Sequence, residues 1–302
     1  VSATESLTFP IADSEVGQFM CGLDWSHSPL GTPDSWSRSL QTTVGLMLAA
    51  RAEIVLFWGP EFAALYNDAY APTIGDKHPR ALGQPARENW TELWDDLEPL
   101  LRGVRETGKT FAAKDRPFYI ERHGYGETVY FDVSYSAVPE ADGSVGGVLC
   151  IVSETTARVL SERRQAYLLR LGNMVRPLAD PVDVQAAAAR VLGEYLGAVR
   201  VLYAEDSGDG SSVVVSRDYT NNIASAVGRY HYRDFDQALL ATMRAGRTFA
   251  RPDIAADRTL SIAEKEVYTT LGLGAALHVP LIKQGQLLAI FAVHYRGAHA
   301  FS

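Results

Sequence analysis

The chain has 302 residues, of which 47% are apolar and 21% charged, and it carries a net charge of −8. That length fits two domains of the usual size, roughly 100–150 residues each. The acidic balance argues against nucleic acid or an anionic membrane as a partner.

Two cysteines, Cys21 and Cys150, are too few for a disulfide framework, a zinc ribbon or a redox pair, and they fit a reducing, cytoplasmic compartment. The longest apolar stretch, Leu287 to Val293, is strand-sized, whereas a bilayer span needs about 20 residues. Val1 to Leu23 shows no basic start followed by an apolar block, so no signal peptide is expected.

Thr32-Pro33 precedes a helix whose stripe is Leu40, Val44, Met47 and Leu48. Ile54 to Trp58 reads as a buried strand, Gly59-Pro60-Glu61 as a turn and Phe62 to Tyr66 as a second strand. Asn67-Asp68 opens a short helical region broken at Gly75-Asp76 and Gly83-Gln84-Pro85. Trp90, Leu93, Trp94, Leu97, Leu100 and Leu101 predict an amphipathic helix that runs out near Gly103–Gly108. Three strands follow: Arg116 to Arg122, then Thr128 to Val138 with strict alternation, then Val145 to Ser153 after an Asp142-Gly143 turn.

Thr155 to Val175 predicts a charged helix in which Leu160, Tyr167 and Met174 recur at heptad spacing, with Leu171 beside them and Arg164 interrupting the seam. Asp180-Pro181 starts a second domain. There Val184, Ala187, Ala188, Val191, Leu192 and Tyr195 form a helical stripe. Val199 to Ala204 and Val213 to Tyr219 read as strands. Phe235, Leu239, Leu240 and Met243 mark a helix ending at Gly246, and Ser261 to Glu264 is a capping box. Ala275 to Leu281 and Leu287 to Tyr295 close the chain as a hairpin. The pattern is α+β: two antiparallel sheets with flanking helices, joined by a helix.

Reactive constellations are missing from the sequence. None of the seven histidines lies on the helix with heptad character, and no phosphate-cradling glycine pattern precedes a helix. No Gly-x-Ser-x-Gly elbow occurs, and Cys150 sits in mid-strand. No catalytic residue and no metal site is expected, although His278 and His294 would face each other across the last hairpin. The informative cluster is Trp58, Tyr66, Asn67, Tyr70, His78, Trp90 and Trp94, which suits either a small-ligand pocket or a plain core with satisfied polar tips. In the second domain Tyr219, Tyr230, His231, Tyr232, Asp253 and His278 pose the same alternative.

The runs Leu56 to Glu61, Tyr66 to Tyr70, Gly75 to Pro79 and Ala81 to Trp90 carry a specific set of spacings. So do Asp24-Trp25-Ser26 and Gly146-Gly147-Val148 with Glu154-Thr155-Thr156. Together they resemble PAS domains near the N-terminus of bacterial sensor histidine kinases, some of them hybrid. Ala245 to Thr248, Pro252-Asp253-Ile254, Val279-Pro280-Leu281 and Gly285 to Ala289 resemble a GAF domain. The resemblance implies an N-terminal extension over 1–22, a PAS domain over 23–154, a linking helix over 155–177 and a GAF domain over 178–302.

It also implies a signal-sensing and dimerisation module without enzymatic activity of its own. Such a module regulates a downstream kinase domain in cis, in two-component signalling, and forms a homodimer through Leu160, Tyr167, Leu171 and Met174. The ligand is an unknown small molecule, and no cofactor is required. Flavin-binding relatives need an Asn-Cys-Arg run, haem-binding ones a His on the long helix and phytochrome-type GAF domains a Pro-Ala-Ser-Asp-Ile-Pro-like run; this sequence departs from each. The alternatives are a bilin- or other pigment-binding photoreceptor and a ligand-free scaffold for protein–protein contact.

Overall fold

The computed structural model describes residues 14–234 and 236–301, and of Asp234 only the backbone. The chain divides into two compact units on either side of Ser161 and Glu162. Each is an antiparallel sheet with helices packed on it, the α+β pattern expected from the sequence. No helix among the described residues is long and apolar enough to cross a membrane.

The first unit opens with α1 (Glu15–Gly22), capped by the Ser14 side chain. Asp68 sets a carboxylate on this helix start, accepting from Ser14 Oγ at 2.9 Å, Glu15 N at 3.0 Å and Val16 N at 2.7 Å. Negative charge is favoured there by the helix dipole. Within the extension expected over 1–22, α1 buries Val16 and Met20 in the unit's core; residues 1–13 lie outside the described residues.

Next come α2 (Arg38–Ala49), β1 (Glu53–Trp58), β2 (Ala63–Tyr66), α3 (Ala71–Ile74), α4 (Ala86–Asn89) and α5 (Trp94–Thr107). The meander β3 (Phe111–Arg122), β4 (Tyr125–Pro139) and β5 (Val145–Glu154) completes a sheet of order β2-β1-β5-β4-β3. α5 buries Leu97, Leu101 and Val104 and ends at Gly108, whose φ of 66° suits glycine. Two sequence expectations shift. α5 begins at Trp94 rather than Trp90. β3 begins at Phe111 rather than Arg116, because its pairing with β4 is interrupted between Ala113 and Arg116, with Asp115 at φ 49°. A bulge of this kind breaks the alternation by which a strand is read.

α6 (Thr156–Val175) follows. The second unit contains α7 (Pro181–Leu196), β6 (Arg200–Asp206), β7 (Ser212–Thr220), β8 (Gly228–His231), α8 (Gln237–Arg244), β9 (Phe249–Arg251), α9 (Ile262–Thr270), β10 (Ala275–Lys283) and β11 (Gln286–Tyr295). Its sheet runs β8-β7-β6-β11-β10-β9. One sheet face packs Leu202, Ala204, Ile290 and Ala292 under Leu239, Leu240 and Met243 of α8. The other packs Val201, Ala275 and Val293 with Ala189 of α7. The capping box at Ser261 and Glu264 is formed as the sequence indicates. Phe235, expected on the α8 stripe, lies outside the described residues.

Candidate functional site

Between the first sheet and α3–α5 lies a cavity of about 40 Å³. Its walls are apolar, from Val55, Phe57, Phe118 and Phe131 among others, with Tyr70, Thr73, Trp90 and Tyr135 supplying polar tips. A water needs roughly 10–15 Å³ of such space, whereas drug-sized ligands occupy roughly 300–1,000 Å³. The interior therefore has room for water or a very small guest. Burial pushes the phenols of Tyr70 and Tyr135 up, with the nearby Cys150 adding to both, while a hydrogen bond from Trp90 opposes the shift at Tyr70. Burial also raises the Cys150 thiol well above its usual value, so a nucleophilic thiolate is disfavoured.

Of the seven aromatic and polar candidates in this unit, only Tyr70 and Trp90 line the cavity. Trp58 ends β1 and packs against Gly146 and Gly147 of β5, where an added Cβ would strike its ring. Tyr66 is fully buried, and its hydroxyl meets His78 Nδ1 at 3.1 Å. The His78 ring also stands edge-on to Phe19, 5.2 Å between centroids. Trp94 is partly buried, edge-on to Phe62 at 6.3 Å.

Asn67 is a structural clamp. Its side-chain NH₂ donates to the carbonyls of Met47 at 3.1 Å, Ala50 at 3.1 Å and Ala52 at 2.7 Å. Its Oδ1 accepts from the amides of Ile54 at 3.2 Å and Tyr70 at 3.1 Å. The amide is spent on the backbone of the α2–β1 connection and offers nothing to a ligand.

The cavity-lining Thr73 is linked to the start of α6. Its carbonyl accepts from Arg122 Nη1 at 3.2 Å, and the same guanidinium pairs with Glu154 at 3.0 Å and Glu127 at 2.7 Å. At the next turn Thr155 Oγ1 donates to Asp115 at 2.7 Å, and Arg158 forms an ion pair with the same carboxylate. Tyr130 N donates to Thr156 Oγ1 at 2.9 Å and Tyr130 O accepts from Thr155 N at 2.7 Å. These contacts were not read from sequence; the bulge that presents Asp115 hides them.

In the second unit the candidates do not converge. Tyr230 and His231 sit on the edge strand β8, with the Tyr230 hydroxyl bonded to Ala226 O at 2.9 Å. β10, which carries His278, is four strand steps away, roughly 19 Å at the usual spacing. Asp253 closes its own loop by accepting from Ala256 N at 2.9 Å, and the Tyr232 hydroxyl donates to Asp206 at 2.6 Å. Tyr219 lies against Gly193 of α7.

His278 does meet His294, ring centroids 5.5 Å apart. Burial lowers His278 to about 4, with Arg251 contributing. It lowers His294 well below the usual value too, with His278 and Arg200 contributing, so both rings are neutral at pH 7. No group of three or more His, Cys, Asp or Glu side chains is placed to hold a metal among the described residues.

On α6, Tyr167 stacks on Tyr195 of α7 at 4.6 Å, and Arg170 pairs with Glu194. Leu160, Leu168, Leu169 and Met174 are exposed.

Comparison with known proteins follows this division. Residues 55–160 match the PAS fold family and residues 180–302 the GAF domain family. Among solved structures, a phycocyanobilin-bound GAF domain from a cyanobacterial phytochrome is similar at 18% identity and TM-score 0.40, over 46% of this chain and 82% of that one. The chromophore-binding domain of Stigmatella aurantiaca bacteriophytochrome in the Pr state is similar at 14% identity and TM-score 0.39, over 82% of this chain and 87% of that one. The corresponding domain of an unusual bacteriophytochrome from R. palustris gives 12% identity and TM-score 0.40, over 83% and 87%. Likenesses this distant carry no argument about what the chain binds. The chain carries a PAS domain followed by a GAF domain.

Proposed function

We propose that this chain senses a ligand or partner and sets the activity of a histidine kinase domain in the same polypeptide, within two-component signalling, and that it performs no chemistry itself. The observation that carries the reading is the set of contacts joining the PAS sheet to α6. Arg122 holds both Thr73, in the wall of the small cavity, and Glu154, the last residue of β5. Asp115 holds Thr155 and Arg158 one turn on. A repacking at the cavity therefore moves the groups that fix the start of α6. A signal shifts such an equilibrium only by its differential affinity for the two arrangements. α6 then passes the bias between protomers through Leu160, Leu171 and Met174, with Tyr167 steadied on Tyr195.

The test is autophosphorylation of the polypeptide that carries this chain, compared with its Asp115→Ala variant, alongside the dimer constant by sedimentation. Loss of regulation with an intact fold supports the reading; unchanged regulation removes it.

A bilin photoreceptor is the second reading. Its support is Cys21, a thiol exposed on α1 ahead of the PAS sheet. Its test is an absorption spectrum of protein expressed with biliverdin: a visible band establishes the pigment, and a blank spectrum dismisses it.

A further inference from the structure

Two buried arginines lie on one face of the GAF sheet, in one cross-strand row. The register sets Arg251 of β9 beside Ala276 of β10, Ala276 beside His294 of β11, and His294 beside Arg200 of β6. The next row, two residues along each strand, is Phe249, His278, Ala292 and Leu202. Side chains two apart share a face, so all eight positions face the side covered by α8.

The two arginines have opposite circumstances. Arg251 is saturated: Nε pairs with Asp257 at 2.7 Å, Nη2 with Asp236 at 2.8 Å, and Nη1 donates to the Tyr268 hydroxyl at 3.1 Å. Arg200 is 2% exposed and, among the described residues, has one acceptor, the Ala224 carbonyl at 2.7 Å. Its Nε is buried and meets no acceptor among the described residues. It forms no ion pair with a described carboxylate; Asp218 of β7 acts on it only at longer range. Beside it, the Nδ1 atoms of His294 and His278 are also buried and meet no partner among the described residues.

Three orphaned polar atoms thus lie on adjacent strands in one contiguous patch. A buried donor without an acceptor costs about as much as a lost hydrogen bond or more, and an uncompensated buried cation costs more again. The fold provides Arg251 with two carboxylates and provides Arg200 with none. Among the described residues, Arg200 Nε is thus a buried donor still open to an acceptor.

We propose that Arg200, His278 and His294 anchor the carboxylate of a small organic anion in the GAF unit. Charge selects the class. Arg251 is already matched by Asp236 and Asp257, whereas Arg200 has no carboxylate partner among the described residues, so a single carboxylate is the group that complements it. Nε of Arg200 and an Nδ1–H tautomer of each histidine supply donors for two carboxylate oxygens. Leu202, Ala292 and Phe249 in the neighbouring row belong to the apolar core under α8, so the organic part of the anion is kept small. The charged and titratable groups near the patch include Arg251 of β9 with its partners Asp236, Asp257 and Tyr268, Asp218 of β7 and Tyr230 of β8. The assignment deepens the sensory reading and rests on it only for what binding does downstream.

Acetate is the minimal probe, with phosphate and chloride at matched ionic strength as controls. Side-chain nitrogen and carbon NMR of the histidines in the whole chain reads the site directly. The expected result is a saturable acetate shift of both the His278 and His294 ring signals with one dissociation constant. Arg200→Met is expected to weaken binding about tenfold or more, the worth of one charge-assisted hydrogen bond. An acetate shift that fails to saturate in the wild type overturns the site, whatever the variant does. A response equally strong in Arg200→Met overturns the role of the arginine, and phosphate producing the same saturable shift overturns the carboxylate assignment. Because binding is read without any kinase, its failure leaves the sensory reading standing, and loss of kinase control leaves the site standing.

Discussion

Replacing Asn67 with alanine removes five hydrogen bonds at one stroke, and the geometry sets the cost. Three of the five are buried: from Ile54 N, from Tyr70 N and to Met47 O. The two to Ala50 and Ala52 are only part-buried, so water can replace the amide there. At about 1 kcal/mol net per buried bond, and more where a group is left without any partner, the loss is about 3–4 kcal/mol. With a urea m-value of about 1–3 kcal/mol/M, the unfolding midpoint drops by about 1–4 M.

The assay is unusually clean. All five tryptophans, Trp25, Trp36, Trp58, Trp90 and Trp94, fall before residue 161, so tryptophan fluorescence reports the PAS unit alone. Asn67→Asp sharpens the test. It keeps acceptors for Ile54 and Tyr70 but turns an oxygen toward three carbonyls. It is therefore expected to cost at least as much as alanine at pH 7. An unfolding free energy for Asn67→Ala within about 1 kcal/mol of wild type would refute the clamp and return Asn67 to the residues available to a ligand.

Three further outcomes are expected. Gly147→Ala destabilises the PAS unit by about 1–3 kcal/mol, because its Cβ would lie 2.8 Å from the Phe57 carbonyl and closer still to the Trp58 ring. Gly126→Ala is much milder, since it meets only the movable end of Tyr119; urea melts of the two variants compare them. Arg251→Met costs the GAF unit about 3 kcal/mol by stranding Asp236 and Asp257, seen as a lower circular-dichroism melting point. Finally, the GAF unit loses stability as pH falls from about 6.5, the ordinary histidine value, toward about 4, to which burial lowers His278. Below 6.5 the unfolded chain takes up protons that the folded rings refuse, so stability falls with pH. A GAF melting point flat across that window in a His278→Phe, His294→Phe background, and sloping in the wild type, checks the assignment.

Much of the PAS unit was legible because its strands announce themselves. Val129, Phe131, Val133 and Tyr135 alternate without interruption, and all four are buried in β4. What escaped has physical causes. The bulge at Lys114-Asp115 puts two residues where one belongs and hides the first half of β3. β8 and β9 are four and three residues long, too short for periodicity to register. Asn67 looked like the polar tip of a pocket because its true partners are carbonyls 15–20 residues upstream, which no local pattern reveals. The facing of His278 and His294 could be read from the hairpin alone. Arg200 could not, since its place beside His294 depends on pairing across 94 positions of chain.

The two units differ in how their unsatisfied groups are arranged, and that difference bears on where a signal enters. In the PAS unit Asn67 is fully engaged, the cavity measures about 40 Å³, and the buried Nε atoms of Arg105 and Arg116, on α5 and β3, meet no acceptor among the described residues. A small molecule entering there has little free energy to gain. In the GAF unit three buried nitrogens lie together on one sheet face with no partner among the described residues, so an oxyanion there gains contacts. Ligand affinity is differential by nature: it comes from what the unliganded state leaves unmade. On that reasoning we propose the GAF unit as the receiver of an oxyanion. The PAS unit, with little free space and hydrogen-bonded to the first turn of α6, is then the part that passes a displacement on, its own small cavity repacking in response. The ordering is open to direct contradiction: a metabolite that raises the tryptophan-reported stability of the PAS unit and leaves the histidine signals of the GAF unit unmoved would reverse it.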